Sequence, residues 1–215
     1  MTPAPPTVTR KERLWLACRQ KRCCYAPVVV PTGRDVWRIA RALDAPLWSF
    51  LVYFQAGEAR RDAFLLDRTQ PPYRLALAKR PGRRTKTPPP CVFLLRTRDG
   101  HHRCGLGDRR PVLCRAFPSE SLDGVLALHD GGACTCRTWS LTDADLAEEL
   151  ALVAARQAAA AEYCTVVARW NARLLATPEG TAFDFLAFCD FLLTAYDEIA
   201  AGGGDPPRGA EADDR

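Results

Sequence analysis

The sequence predicts an α+β fold: an irregular, cysteine-rich, metal-centred N-terminal unit with short strands, packed on a C-terminal pair of long antiparallel helices. Three observations predict it. Eight of the ten cysteines fall between Cys18 and Cys136, in segments rich in glycine, proline and arginine. Short apolar runs in that region are broken by turn residues, whereas beyond Leu141 apolar residues recur at helical spacing. The expected divisions are a disordered lead (1–12), a cysteine-cluster metal-binding domain (13–140), a helical hairpin packed on it (141–201) and a disordered acidic tail (202–215). A chain of 215 residues can bury an ordinary core without crosslinks, so core poverty does not account for the cysteines.

Along the first unit, Thr32 reads as an N-cap, and Val36, Ile39, Ala40 and Leu43 share one helical face, predicting a short amphipathic helix. Pro46 breaks the pattern, and LWSFLVYF after it reads as a further buried helical turn or two. Phe64–Leu66 and Tyr73–Ala78 read as short strands. Residues 79–90, KRPGRRTKTPPP, hold five basic residues and four prolines and are expected to form an exposed, extended loop. CVFLL, a turn at Asp99-Gly100 and HHRC then suggest a hairpin whose two ends each present a cysteine.

From Leu141 onward, Thr142 is an expected N-cap, with Asp143 and Asp145 in the first turn. Leu146, Leu150, Val153, Ala160, Cys164 and Ala168 recur at helical spacing as far as Asn171. A second helix is expected over 181–201, with Phe185, Phe188, Leu192, Tyr196 and Ile199 on its apolar face. The short turn at Pro178–Gly180 makes the pair antiparallel.

The N-terminus has charged clusters before any apolar run and lacks the apolar core of a signal peptide. No window matches the roughly 18 uncharged apolar residues of a membrane span. The expected location is the reducing cytoplasm, where clustered cysteines bind metal or do redox chemistry more often than they form disulfides. Residues 1–140 carry 25 Lys+Arg against 11 Asp+Glu, a balance of +14; residues 141–215 carry 5 against 14, a balance of −9. A basic half fits nucleic acid or acidic partners, but ligating thiolates in that half would themselves need compensating cations. Nucleic acid is therefore disfavoured as a partner, no membrane is expected, and the macromolecular partner is left open.

The cysteines form three groups: Cys18, Cys23 and Cys24; Cys91, Cys104 and Cys114; and Cys134 with Cys136. Thiolates ligate zinc or iron–sulfur clusters when flexible segments bring several sulfurs together. These eight are the candidate ligands, enough for two four-thiolate sites or for one closed site plus redox-active thiols. A vicinal pair in extended backbone, as expected for Cys23-Cys24, would point its thiols in divergent directions. Spacing alone does not identify the metal, since no C-x2-C pair occurs. Lys21 and Arg22 beside the first group, and Arg109, Arg110 and Arg115 beside Cys114, would favour thiolates. His101 and His102 are expected to top the hairpin in solvent. Cys164 and Cys189, on helical apolar faces, are expected in the core.

The order CRQKRCC, PCVFLL, CGLGDRRPVLCRAFP and CTC resembles the bacterial YkgJ-type cysteine-cluster family, also called the CxxCxxCC zinc- or iron-chelating domain. RRPVLCRAFP (109–118) carries the strongest likeness and the C-x-F-L segment at 91–94 a second, although the first group supplies three sulfurs rather than four. The resemblance implies a zinc or iron–sulfur site at Cys18, Cys23, Cys24, Cys91, Cys104 and Cys114, with Cys134 and Cys136 as the later family cysteines. It also admits a protein-modifying role, because flagellin lysine N-methylases carry a similar module.

The expected function is metal binding through cysteine thiolates, structural or redox-sensing. The alternatives are a protein-modifying enzyme related to lysine N-methylases or an oxidoreductase using the cluster, and a basic adaptor binding nucleic acid through 79–90. For catalysis the residues offer little: Gly105-x-Gly107 lacks the strand–turn–helix setting of a dinucleotide loop, and no nucleophile triad or carboxylate pair stands out. Whether the chain is an enzyme stays open at this point.

Overall fold

The computed structural model describes residues 9–18, 21–25, 28–57, 60–81, 88–122, 125–128, 140 and 145–202. Among them helices and strands mix. Helices α1 (Arg10–Ala17), α2 (Gly33–Leu43) and α3 (Val112–Ala116) and strands β1 (Leu51–Gln55), β2 (Tyr73–Leu77), β3 (Leu94–Arg96), β4 (His102–Cys104), β5 (Ser119–Leu122) and β6 (Val125–Leu128) precede the long helices α4 (Leu146–Leu175) and α5 (Phe185–Gly202). The strands pair only as antiparallel ribbons, β1–β2, β3–β4 and β5–β6. Two-stranded ribbons are marginal on their own, so this half of the molecule depends on what they pack against.

Helix α2 is the hub. Its N-terminus is a capping box: the Thr32 hydroxyl accepts from the Asp35 amide and the Asp35 carboxylate from the Thr32 amide, both at 3.2 Å. Asp44, left-handed at φ 46°, ends the helix just before Pro46. The expected face is correct for Val36, Ile39 and Ala40, which are buried against α4 and α5, whereas Leu43 is exposed. Gly33 lets α5 approach. A Cβ there would lie 2.6 Å from Tyr196 Oη and 2.7 Å from its Cζ, and Tyr196 is itself buried. Gly33→Ala, ordinarily stabilising inside a helix by about 0.5–1 kcal/mol, is therefore expected to destabilise by about 1–3 kcal/mol; a denaturant melt reads the sign.

The C-terminal pair is present and antiparallel. Trp170, late in α4, meets Phe188 and Phe191, early in α5, at ring distances of 5.3 Å, while Arg34 of α2 pairs with Glu162, earlier in α4, and its neighbour Gly33 lies against Tyr196, late in α5. Phe64 stacks on Phe188 with centroids 3.9 Å apart, and the Trp170 indole donates to Leu65 O at 2.6 Å, so the 63–66 segment closes over the helix pair.

Several expectations need correction. LWSFLVYF gives one tight turn, Leu47–Ser49, and then strand β1, because its aromatic and β-branched residues lack helical period. Of 64–66, only Phe64 bridges a strand, exchanging backbone bonds with Tyr73. The lead ends earlier than expected, since Thr9 caps α1 by accepting from the Glu12 amide. Helix α4 starts at Leu146 with Asp145 as its cap and runs on to Leu175, and α5 starts at Phe185 rather than Thr181.

The α4 stripe was also misplaced except at Val153, which is buried as expected. Leu146 and Leu150 are exposed and Cys164 is half-buried, whereas Glu149, Val153, Tyr163, Val166, Val167, Trp170 and Leu174 face inward. By length and composition alone, one window of α4 is apolar enough to cross a membrane. Its outward alanines supply that hydropathy, and the aromatic side packs on the protein. Cys189 is buried, as expected. Thr142, His129, residues 82–87 and the tail beyond 202 lie outside the described residues.

Candidate metal centre

The hairpin expected around Asp99-Gly100 is present. β3 pairs with β4 in the register Leu94↔Cys104 to Arg96↔His102, and Gly100 takes φ 78° in the turn. Cys104 thus ends one arm. Cys91 sits just before the other, in a bridge to Lys79, and its amide donates to Cys24 O at 2.8 Å. That bond brings the first cysteine group to the second.

Cys23 and Cys24 lie in a tight turn, Arg22–Cys24, entered through Lys21 at φ 47°. The vicinal pair is therefore not extended, and both thiols line the same cavity. Cys114 comes from α3, whose first amide, Val112 N, donates to Asp35 Oδ1 at 3.0 Å. Asp35 is buried in the α2 capping box, so the hub helix sets the position of α3 and of its cysteine.

Cys23, Cys24, Cys91, Cys104 and Cys114 all line one cavity of about 320 Å³. Cys91 is buried and the other four are half-buried. The remaining wall is largely apolar, with Val29, Leu77, Phe93 and Leu106 among its members, and Trp15 and Arg110 contribute from the α1 side. Among the described residues no group of three or more His, Cys, Asp or Glu side chains could hold a metal ion: the thiols surround the space without meeting.

Cys18, at the end of α1, is not among the cavity-lining residues, although its carbonyl accepts from Lys21 Nζ at 2.6 Å. Cys134 and Cys136 lie outside the described residues. His102 sits in β4 with its ring 6.1 Å from Tyr25 and does not line the cavity.

The thiols feel one another. The hydrogen bond from Cys24, with the Lys21 ammonium nearby, pulls Cys23 down to about 7 against the effect of burial. Cys24 is correspondingly pushed up, by donating that bond, by burial and by negative charge on Cys23, Cys114 and Cys91. Burial also raises Cys91, Cys104 and Cys114, and for Cys114 the charges of Cys104 and Cys91 add to it. A cation in the cavity would reverse this balance by favouring the thiolates it binds.

Two lysines stand beside these thiols: Lys21, which the sequence places next to the first group, and Lys79, which reads as part of a solvated loop. Lys21 has no exposed surface; its Nζ donates to Trp15 O as well as Cys18 O and lies 4.3 Å from the Trp15 ring centroid. Lys79 Nζ donates to Cys24 O at 3.2 Å and Tyr25 O at 3.1 Å. Burial lowers both ammonium pKa values, and the thiols oppose that: Cys18 leads for Lys21, and Cys91 and Cys24 lead for Lys79. The 79–90 loop thus begins beside the site, with Arg80 also held by the chain through Pro90 O and Val92 O. Lysine at a loop boundary reads as surface, and only the proximity of Cys91 twelve residues on hinted otherwise.

No family model, curated protein or solved structure matches the chain.

Proposed function

We propose that this chain is a metal-binding protein whose cysteine thiolates hold zinc or an iron–sulfur cluster, in a structural or redox-sensing role in the reducing cytoplasm. The observation that carries the proposal is the convergence of five thiols, from four separated stretches of sequence, on the wall of one cavity. Donor chemistry agrees, because soft sulfur donors select zinc, copper(I) or iron–sulfur centres. Cys24, Cys91, Cys104 and Cys114 would serve as ligands, with Cys23 as partner or alternate to Cys24. Cys18, Cys134 and Cys136 complete the eight that the sequence nominates.

Charge supports the same assignment. Four thiolates around a divalent ion leave a net charge of −2, and the two ammonium groups of Lys21 and Lys79 beside the thiols would offset it. When bound, the metal supplies a crosslink between segments whose ribbons are too small to stand alone, so binding free energy becomes folding free energy.

Cobalt(II) titration of reduced, metal-free protein tests the donor set. The expected result is a near-ultraviolet thiolate-to-cobalt charge-transfer band that is lost in a Cys24→Ser/Cys91→Ser variant. A titration without that band, or one unchanged in the variant, would count against the proposal.

A further inference from the structure

The cysteine cavity is larger than its thiols need. At about 320 Å³ it equals about ten water molecules by volume and reaches the range of small-molecule pockets, roughly 300–1,000 Å³, whereas a thiolate-held zinc ion sits only about 2.3 Å from each sulfur. Cys23, Cys24, Cys91 and Cys104 come from the Arg22–Cys24 turn and the segments around β3 and β4. A further stretch of wall comes from α3, the chain just after it and α4, which packs on α3 and β5; there Cys114 is the only lining thiol, and Leu113, Phe117 and Pro118 make the surface apolar. Val28, 58 % exposed, also lines the cavity, which therefore reaches the molecular surface beside it.

Two arginines line this cavity, and one of them is committed. Arg110 donates to Glu12 Oε2 at 2.6 Å and to Gly107 O at 3.2 Å, and its guanidinium lies 4.1 Å from the Trp15 ring centroid. Arg156 of α4 is half-buried, and among the described residues its guanidinium makes no hydrogen bond or ion pair. Glu120, the carboxylate in the wall, has an interaction of its own. Ser119 of β5, 3 % exposed, lines the same cavity, and its hydroxyl has no hydrogen-bond partner. Polar groups left unpaired beside an apolar space cost free energy, which a ligand oxygen recovers.

We propose that the cavity, beside its metal, binds a small monocarboxylate with an apolar body of about six to eight carbons, its carboxylate on Arg156 and its body against Leu113 and Phe117. The inference rests on the metal reading above, which gives the thiols to the ion. One guanidinium fork pairs both oxygens of one carboxylate, and the Ser119 hydroxyl is a further donor for it. The apolar wall disfavours a strongly hydrated dianion such as phosphate, whose charge one fork leaves half uncompensated.

The test is calorimetry of the full chain, purified without oxygen and assayed for metal, with benzoate, benzyl alcohol or acetate at equal ionic strength. Benzoate is expected to bind saturably, and about tenfold or more tighter than benzyl alcohol, which lacks the charge, or acetate, which lacks the body. Arg156→Gln should weaken benzoate binding about tenfold at unchanged metal content, and Arg156→Lys should weaken it less; circular dichroism checks that both variants keep the fold. Metal-loaded protein that ignores benzoate, binds it no better than acetate, or binds it equally in Arg156→Gln would overturn the proposal and leave the metal reading standing. Protein purified without metal would remove the reading on which the proposal rests, whatever benzoate does.

Discussion

Glu149→Gln is expected to cost about 3–5 kcal/mol of stability, or roughly 6–20 °C in melting temperature for a chain of this size. Glu149 is completely buried on α4, and both carboxylate oxygens hold Lys11 Nζ of α1, at 2.6 and 2.8 Å. The same ammonium donates to Ala116 O at 3.2 Å, so one buried pair ties α1 and α3 to the long helix. Glutamine keeps the shape but leaves a buried cation with no counter-charge. The double replacement Lys11→Met/Glu149→Leu removes both charges and is expected to recover most of the loss, because breaking a buried pair is costlier than replacing it. A Glu149→Gln melt within about one degree of the parent would mean that the pair is solvated in solution.

The second large effect is expected at the thiols. Cys91→Ser/Cys114→Ser should lose the bound metal and unfold the region around the cavity, while α4 and α5 keep helical circular dichroism. Structural zinc sites supply apparent binding free energies of about 10–16 kcal/mol, as large as the whole stability of a typical domain, about 5–15 kcal/mol. Serine nearly preserves volume, so a large loss reports the missing ligand and not a cavity. Cys164→Ser is the control: Cys164 is half-buried on α4, does not line the cavity, and should change neither metal content nor melting.

Which features the sequence displays follows from how local their causes are. The Thr32 N-cap of α2 and the Asp99-Gly100 hairpin were legible because a few neighbouring residues determine them. The inward face of α4 was not: with alanine on several sides, the periodicity pointed to Leu146 and Leu150, and the bulk of Tyr163 and Trp170, packed against α5 and residues 63–66, decides the face instead. LWSFLVYF failed for a related reason, since an unbroken apolar run fits strand and helix alike.

At the candidate site, the thiols of Cys23, Cys24, Cys91, Cys104 and Cys114 could be nominated from their turn-rich settings, but not all their partners. Lys21 was legible from its place beside the first group, whereas Lys79 reaches the thiols only through tertiary folding, and the vicinal turn depends on a left-handed lysine that nothing in its neighbours demands. Cys18 shares the motif yet stands off the cavity wall.

The most direct measurement is quantitation of iron, acid-labile sulfide and zinc, with an absorption spectrum, on protein purified without oxygen. The account predicts at least one zinc ion per chain, or iron and sulfide in matching amounts with visible absorption, and loss of either in Cys91→Ser/Cys114→Ser. Folded protein carrying neither, and melting at the same temperature with and without a chelator, would contradict it.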